Sequence, residues 1–549
     1  MARGSTAPWR SRRRVLLHRG TIYSPANPFS TAMLIDGDTI SWIGEDTAAE
    51  VHRDTADVVV DLRGAFVAPG FVDAHVHATS TGLQLSGLDL TTSCSAEDIL
   101  DAVRLRSRER PGEVMLGHGW DETGWQDSRL PTRDEIDIAA GGAVVYLSRI
   151  DVHSALVSSA LVTTVPDVTD VDGWHPSGAL SRQAHGRVRE QALGSISDHQ
   201  RTAAQRDMRR AAAALGVVAV QEMAGPTISS EADLDLLLAL ADDEPGPLVA
   251  GYWGQLAQRG GIDTARALGA VGVAGDLFID GAIGSRTACL HAAYDDEPGS
   301  TGASYMDEDT VQEHLIAATR AGLQAGFHVI GDAASATITA ALRAAADELG
   351  ADTVRASAHR LEHAEMLSDS DIATMVDLGV TASMQPVFDA LWAGPGGMYE
   401  QRLGRARAAG MNRFADILSA GGALAFGSDA PVTPLGPWAA VRAAMHHSNP
   451  HQRVSARAAF SAHTRGGWRA VGETAAGVLQ PGAPAHLAVW RVEELDVQAP
   501  DTRVSGWSTD PRSGTPALPV LDEGADLPEC LATVVAGRVI HSSGDGAWE

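Results

Sequence analysis

Ala68-Pro69-Gly70-Phe71-Val72-Asp73-Ala74-His75-Val76-His77 is an apolar run that ends in two histidines one residue apart. Side chains on a β-strand alternate faces, so His75 and His77 project from the same face, roughly 6.6–7 Å apart along the strand. Both imidazoles can then reach one metal ion, at roughly 2.0–2.1 Å if the ion is zinc. The Pro69-Gly70 turn ahead of the run puts the pair at the strand's C-terminal end. By itself, His-x-His also arises by chance on a polar strand face.

Three later strand-like segments end in the same kind of residue. Gly322–Asp332 carries His328, Ser357–Ala364 ends on His363, and Gly422–Pro431 drives an apolar run into Asp429. Strand-like runs alternate here with helical runs rich in Ala, Leu and Arg, the signature of βαβ units. Eight strands are expected around Phe71–His77, Gly216–Glu222, Pro247–Trp253, Asp276–Asp280, Gly326–Ile330, Ala358–His363, Val380–Met384 and Leu424–Asp429. In a (β/α)8 barrel, catalytic groups gather at the C-terminal ends of such strands.

The order His-x-His, His, His, Asp resembles the amidohydrolase superfamily, which carries these residues on barrel strands one, five, six and eight. Five local motifs are similar to its YtcJ-like branch, which includes the N-substituted formamide deformylases. They are Gly119-Trp120-Asp121, Pro131-Thr132-Arg133, Arg149-x-Asp151-x-His153, Asp280-Gly281-Ala282-Ile283-Gly284-Ser285-Arg286-Thr287-Ala288 and Gly427-Ser428-Asp429-Ala430-Pro431-Val432. They span nearly the whole chain in the expected order. The resemblance implies an α/β fold with a (β/α)8 barrel over residues 69–469. It also implies an insertion at about 86–197 that covers the barrel mouth, and a small β-sandwich built from residues 15–68 and 470–549. Patterning alone shows short strands at both chain ends and would equally allow two separate β segments.

Composition narrows the class. The 549 residues are 44% hydrophobic and 20% charged, ample for a globular core. A net charge of −28 argues against nucleic acid and anionic membranes as partners. The basic cluster of Arg10 and Arg12–Arg14 lacks the apolar segment of a secretory signal, and no apolar run approaches the roughly 18 residues of a membrane span. Three cysteines without CxxC spacing read as reduced thiols in a cytoplasmic chain. All 42 basic residues are arginine; the chain contains no lysine.

The chemistry expected is metal-assisted hydrolysis, in which a bound divalent ion lowers the pKa of a water toward roughly 7. His75, His77 and His328 offer nitrogen ligands suited to zinc, and Asp429 offers an oxygen. Asp429 can also take the water's proton and deliver it to a departing amine. Many relatives bridge two metals with a carboxylated lysine on the fourth strand, a position that is Asp276 here. A carboxylated-lysine bridge is therefore impossible. Counted along a regular strand, Asp276 shares the face of Asp280 but lies deeper in the barrel. That depth favours one ion on His75, His77, His328 and Asp429, with His363 orienting water or substrate. A two-ion centre using His363 and Asp276 as substitute bridge stays open.

Arg286 is expected to hold a substrate carboxylate or carbonyl, or else to form a surface ion pair. Trp120, Asp121, Arg149 and His153 are expected to line the cleft, though Trp120 and Trp125 could equally form the insertion's own core. Glu362 points away from His363 and suits a structural ion pair with an arginine. The substrate expected is a small amide: an N-substituted formamide or N-acyl amine. Deamination of a cyclic amidine and a catalytically silent metal-binding role are the alternatives. A homodimer is the commonest prior for the assembly.

Overall fold

The computed structural model describes residues 13–122, 125–127, 129–149, 154–177, 179–497 and 515–544. Arg10, Arg12, Asp151 and His153 lie outside the described residues. Two compact units result, one ending at His77 and resuming at Arg209, the other spanning Ala78–Met208.

In the first unit eight parallel strands pair in chain order. They are β1 (Phe71–Val76), β2 (Val217–Ala224), β3 (Leu248–Trp253), β4 (Gly272–Val273), β5 (Gln324–Val329), β6 (Arg360–His363), β7 (Thr381–Met384) and β8 (Ala423–Phe426). A bridge between Val76 and Ala430 closes the ring. The Asp429 N–H donates to the His75 carbonyl at 2.8 Å, and the His77 N–H to the Ala430 carbonyl at 2.9 Å. This is a (β/α)8 barrel. No helix among the described residues is long and apolar enough to cross a membrane.

The helix before β5 shows why the intervening runs coil. Asp307 caps it by accepting the Thr310 N–H at 2.9 Å, and Glu308 and Asp309 complement the dipole of its first turn. Val311, His314, Leu315, Ala318 and Thr319 bury one face at helical spacing. Gly322, at φ 68, supplies the left-handed residue that ends the helix and turns the chain into β5.

The fourth strand is not where alternation places it. Leu277 and Ile279 are buried and imitate a strand over Asp276–Asp280. The paired residues are instead Gly272–Val273, and Phe278 keeps only an isolated bridge to His328. The chain kinks between them at Gly275, φ 106, where any Cβ would sit 3.2 Å from Met223 Sδ.

Beneath the strand ends the barrel interior is polar. Arg360 is fully buried and donates to Glu362 Oε1 (2.5 Å), Gln221 Oε1 (2.5 Å), Ser383 Oγ (2.9 Å) and the Ala74 carbonyl (2.7 Å). Its guanidinium also lies 4.8 Å from the centre of the Tyr252 ring. Gly326 makes room for this side chain, since a Cβ there would meet Arg360 Cγ at 2.7 Å.

Both chain ends join in a β-sandwich. One sheet orders Thr21–Ile22, Phe66–Pro69, Leu487–Arg491, Glu529–Val535 and Arg538–Ser542; the other orders Thr39–Gly44, Ala32–Asp36, Arg14–His18 and Val58–Asp61. Leu17, Met33 and Ile35 meet Val67, Leu487, Val489 and Val534 in one shared core. Alternation turns Trp490 to the opposite face, against Phe71 and Trp438.

The second unit is a five-stranded sheet ordered Leu180–Ser181, Ser154–Val157, Val145–Arg149, Met115–Trp120 and Leu88–Asp89. Its two faces bury separate cores. Leu147 joins Ile99, Val103 and Ile136 on one face, while Tyr146 joins Val157, Leu161 and Val188 on the other. The ends of the unit meet where Gln205 Nε2 donates to Thr79 Oγ1 at 3.0 Å.

Candidate metal centre

Four strand ends and the kink after β4 converge on one buried cluster. His75 and His77 come from the end of β1, and Asp429 from the turn after β8. That turn is held against β1 by Asp73, which accepts the Ser428 N–H at 2.9 Å and the Ser428 hydroxyl at 2.6 Å. Gly427 permits the approach, since a Cβ there would lie 2.5 Å from the His75 nitrogen. Asp429 itself takes φ 55 and His363 takes φ 68. Both are left-handed conformations that non-glycine residues rarely adopt, held here by the surrounding strands.

Asp276 sits between the histidines. Its Oδ2 lies 3.1 Å from His77 Nε2 and 3.6 Å from His75 Nε2; its Oδ1 lies 3.4 Å from His328 Nδ1 and 3.7 Å from His363 Nε2. Asp429 Oδ1 lies 3.2 Å from His77 Nε2 and 3.4 Å from His75 Nε2. The depth expected from regular strand rise is not found, because the kink at Gly275 takes Asp276 out of strand geometry and the rise per residue no longer applies.

The cluster suits a metal. Three groups have ligand atoms within 4.8 Å of one another: His75, His77 and Asp276; His75, His363 and Asp429; and Asp276, His328 and His363. His328 thus stands with His363 and Asp276, and not in the single set His75–His77–His328–Asp429 expected from the sequence. His75 Nε2 is buried without a hydrogen bond, aimed between two carboxylates. Imidazole nitrogens and carboxylate oxygens are a donor set for zinc and neighbouring divalent ions.

Outer partners fix each imidazole. Glu362 Oε2 lies 2.9 Å from His75 Nδ1, so that nitrogen carries the proton and Nε2 faces the cluster. Gln385 Oε1 plays the same part for His363 Nδ1 at 2.9 Å. Burial alone would raise the Glu362 carboxyl, but Arg360 and His75 bring it down to about 2. Burial would likewise lower His77, yet the Asp276 and Asp429 carboxylates raise it to about 10. Burial would raise Asp276, but His75, His328 and His363 hold it well below the carboxylate range. His77 and Asp276, 3.1 Å apart, thereby pair as cation and anion within the cluster.

Other expected site residues are engaged elsewhere. Arg286 binds Asp296 through two parallel bonds of 3.1 and 2.8 Å, so its fork is filled within its own loop. Trp120 is 1% exposed in the core of the second unit and donates its Nε1–H to the Leu147 carbonyl at 2.9 Å. Packing claims it. Asp121 accepts from Arg149 at 2.7 Å, and Trp125 donates to the Ser93 carbonyl. Thr132 forms a capping box with Glu135, which explains the Pro131-Thr132-Arg133 motif as a helix start. Asp280 accepts N–H groups from Cys289, Ile330 and Gly331 and ties its loop to the end of β5. His359 and His463 are structural, bonded to Thr319 and to the Val72 carbonyl.

The sequence profile of the amidohydrolase family matches residues 58–541. Similar proteins include the putative amidohydrolase YtcJ of Bacillus subtilis, 26% identical over 80% of this chain and 85% of its own length. The N-substituted formamide deformylase of Arthrobacter pascens is 23% identical over 66% of this chain and 70% of its own. The crystal structure of an uncharacterized metal-dependent hydrolase from Pyrococcus furiosus matches with a TM-score of 0.73 and 25% identity, covering 87% of this chain and 98% of that one.

Proposed function

Because this chain belongs to the amidohydrolase family, and so is a hydrolase, we propose that it uses a divalent metal, zinc by its donor set, to hydrolyse a non-peptide C–N bond. The substrate proposed is a small amide such as an N-substituted formamide or N-acyl amine. The convergence of His75, His77, His328, His363, Asp276 and Asp429 at one end of the barrel carries this reading. The similarity to a formamide deformylase and to a metal-dependent hydrolase supports it.

When bound, the metal would lower the pKa of water and polarise the amide carbonyl. His75, His77 and Asp276 would hold it on one side of the cluster, and His328 and His363 on the other. Asp429, whose Oδ1 faces His75 and His77 within the cluster, accepts the proton of the attacking water. The same carboxyl returns that proton to the amine nitrogen as the C–N bond breaks, so the amine leaves neutral. Glu362 and Gln385 keep the imidazoles aimed throughout. The rings of Phe278 and Phe388 lie 4.5 and 6.0 Å from those of His328 and His363 and limit water on that side.

The test is chelation followed by metal restoration, read with a panel of formamides, N-acyl amines and cyclic amidines. Amide cleavage lost on chelation and restored by zinc or manganese is expected. Ammonia released from a cyclic amidine, with every amide untouched, would reassign the substrate. No turnover by metal-replete protein would leave a metal-binding role alone.

A further inference from the structure

We propose that Asp276 bridges two metal ions, and that the centre therefore assembles from metal alone, without carbon dioxide. The inference rests on the metal-dependent reading above and deepens it. A carboxylate bridging two ions must turn one oxygen to each ligand set. Asp276 does this: Oδ2 faces His75 and His77, and Oδ1 faces His328 and His363. The nitrogen–oxygen separations of 3.1 to 3.7 Å match the edge of a tetrahedral coordination shell. That edge is about 3.4 Å for bonds of about 2.0–2.2 Å. One ion at either set would leave the other pair of buried imidazoles facing a carboxylate oxygen with no function.

The kink at Gly275 explains how so short a side chain does this. A lysine extended by carbon dioxide carries its carboxylate on a long stem from a regular strand. Here the φ of 106 lifts the backbone out of the strand, and the aspartate needs no stem. A lysine bridge forms when the amine attacks carbon dioxide, making an N–C bond and releasing a proton. With no lysine in the chain, that step is absent, and the bridging oxygens are encoded directly.

The experiment loads chelator-stripped, full-length protein with zinc or manganese in carbon-dioxide-free buffer, with and without added bicarbonate. Metal per chain is counted by elemental analysis, and manganese samples are read by electron paramagnetic resonance. Two ions per chain, a spin-coupled manganese pair and no effect of bicarbonate are expected. Asp276→Ala should lose at least one equivalent and the spin coupling while the metal-free fold persists by circular dichroism. A wild-type protein that saturates at one ion, or that loads further only with bicarbonate, overturns the inference whatever the variant does. Two ions without amide turnover would sink the substrate reading and leave the bridge standing; amide turnover with one ion would do the reverse.

Discussion

Asp429 is the residue on which the proposed chemistry turns. Asparagine keeps its shape but takes no proton, so Asp429→Asn should fold normally and lose about 10²–10⁴-fold in kcat. Near-normal turnover by a metal-replete variant would remove Asp429 as the base. Glu362 acts at one remove. Glu362→Gln keeps the contact to His75 but strips Arg360 of the carboxylate that accepts two of its hydrogen bonds. Metal affinity should fall about 10–100-fold, as for other outer-shell partners, and stability by roughly 3–5 kcal/mol for the uncompensated cation. Competition with a chromophoric chelator and thermal melts check the two effects; unchanged affinity would show that Glu362 serves the fold alone. The sequence displays His75, His77, His328, His363 and Asp429 because strand ends announce themselves by apolar runs. It conceals the link from Glu362 to His75, which spans 287 positions. It conceals Arg286 too, whose partner Asp296 lies ten residues away in a loop without periodicity.

Elements explain where pattern reading works and where it stops. Seven barrel strands are long enough to show alternation, whereas β4 has two paired residues and is outvoted by the apolar pair Leu277 and Ile279. The helix Glu308–Ala321 and the residue just ahead of β6 also carry a pH response. His314 accepts the Ala257 N–H at 3.0 Å and His359 accepts the Ala325 N–H at 3.0 Å, both through Nδ1, which requires neutral rings. Burial lowers both to about 4 from the ordinary 6.5. Between those values the unfolded chain binds protons that the folded chain refuses. The stability they contribute is complete above pH 6.5 and is lost as the pH falls toward 4, at most about 3 kcal/mol for each ring. Asparagine can offer an oxygen where Nδ1 stood without gaining charge. His359→Asn should therefore flatten the fall in melting temperature between pH 6.5 and 4. An unaltered slope would place the acid sensitivity elsewhere.

At the scale of the molecule, the unit Ala78–Met208 has its own sheet, a core on each face and ends tied together by Gln205 and Thr79. A fragment of residues 78–208 should fold alone, with cooperative melting and dispersed amide resonances. A fragment that stays unstructured would mean its stability is borrowed. The sandwich was legible as strands but not as a sandwich, because pairing such as Leu487 with Pro69 leaves no local mark in either segment. That pairing bears on synthesis. Phe66–Pro69 pairs with Thr21–Ile22 on one side and Leu487–Arg491 on the other, so this N-terminal strand leaves the ribosome long before its second neighbour exists. At about 5–20 residues per second the wait is on the order of tens of seconds. Throughout it Phe66, Val67 and Ala68, all fully buried at the end, form an unpaired apolar edge on the nascent chain. Messages cut short before Leu487 should yield protein that never closes this edge, a permanent client for chaperones and proteases however well its barrel has formed.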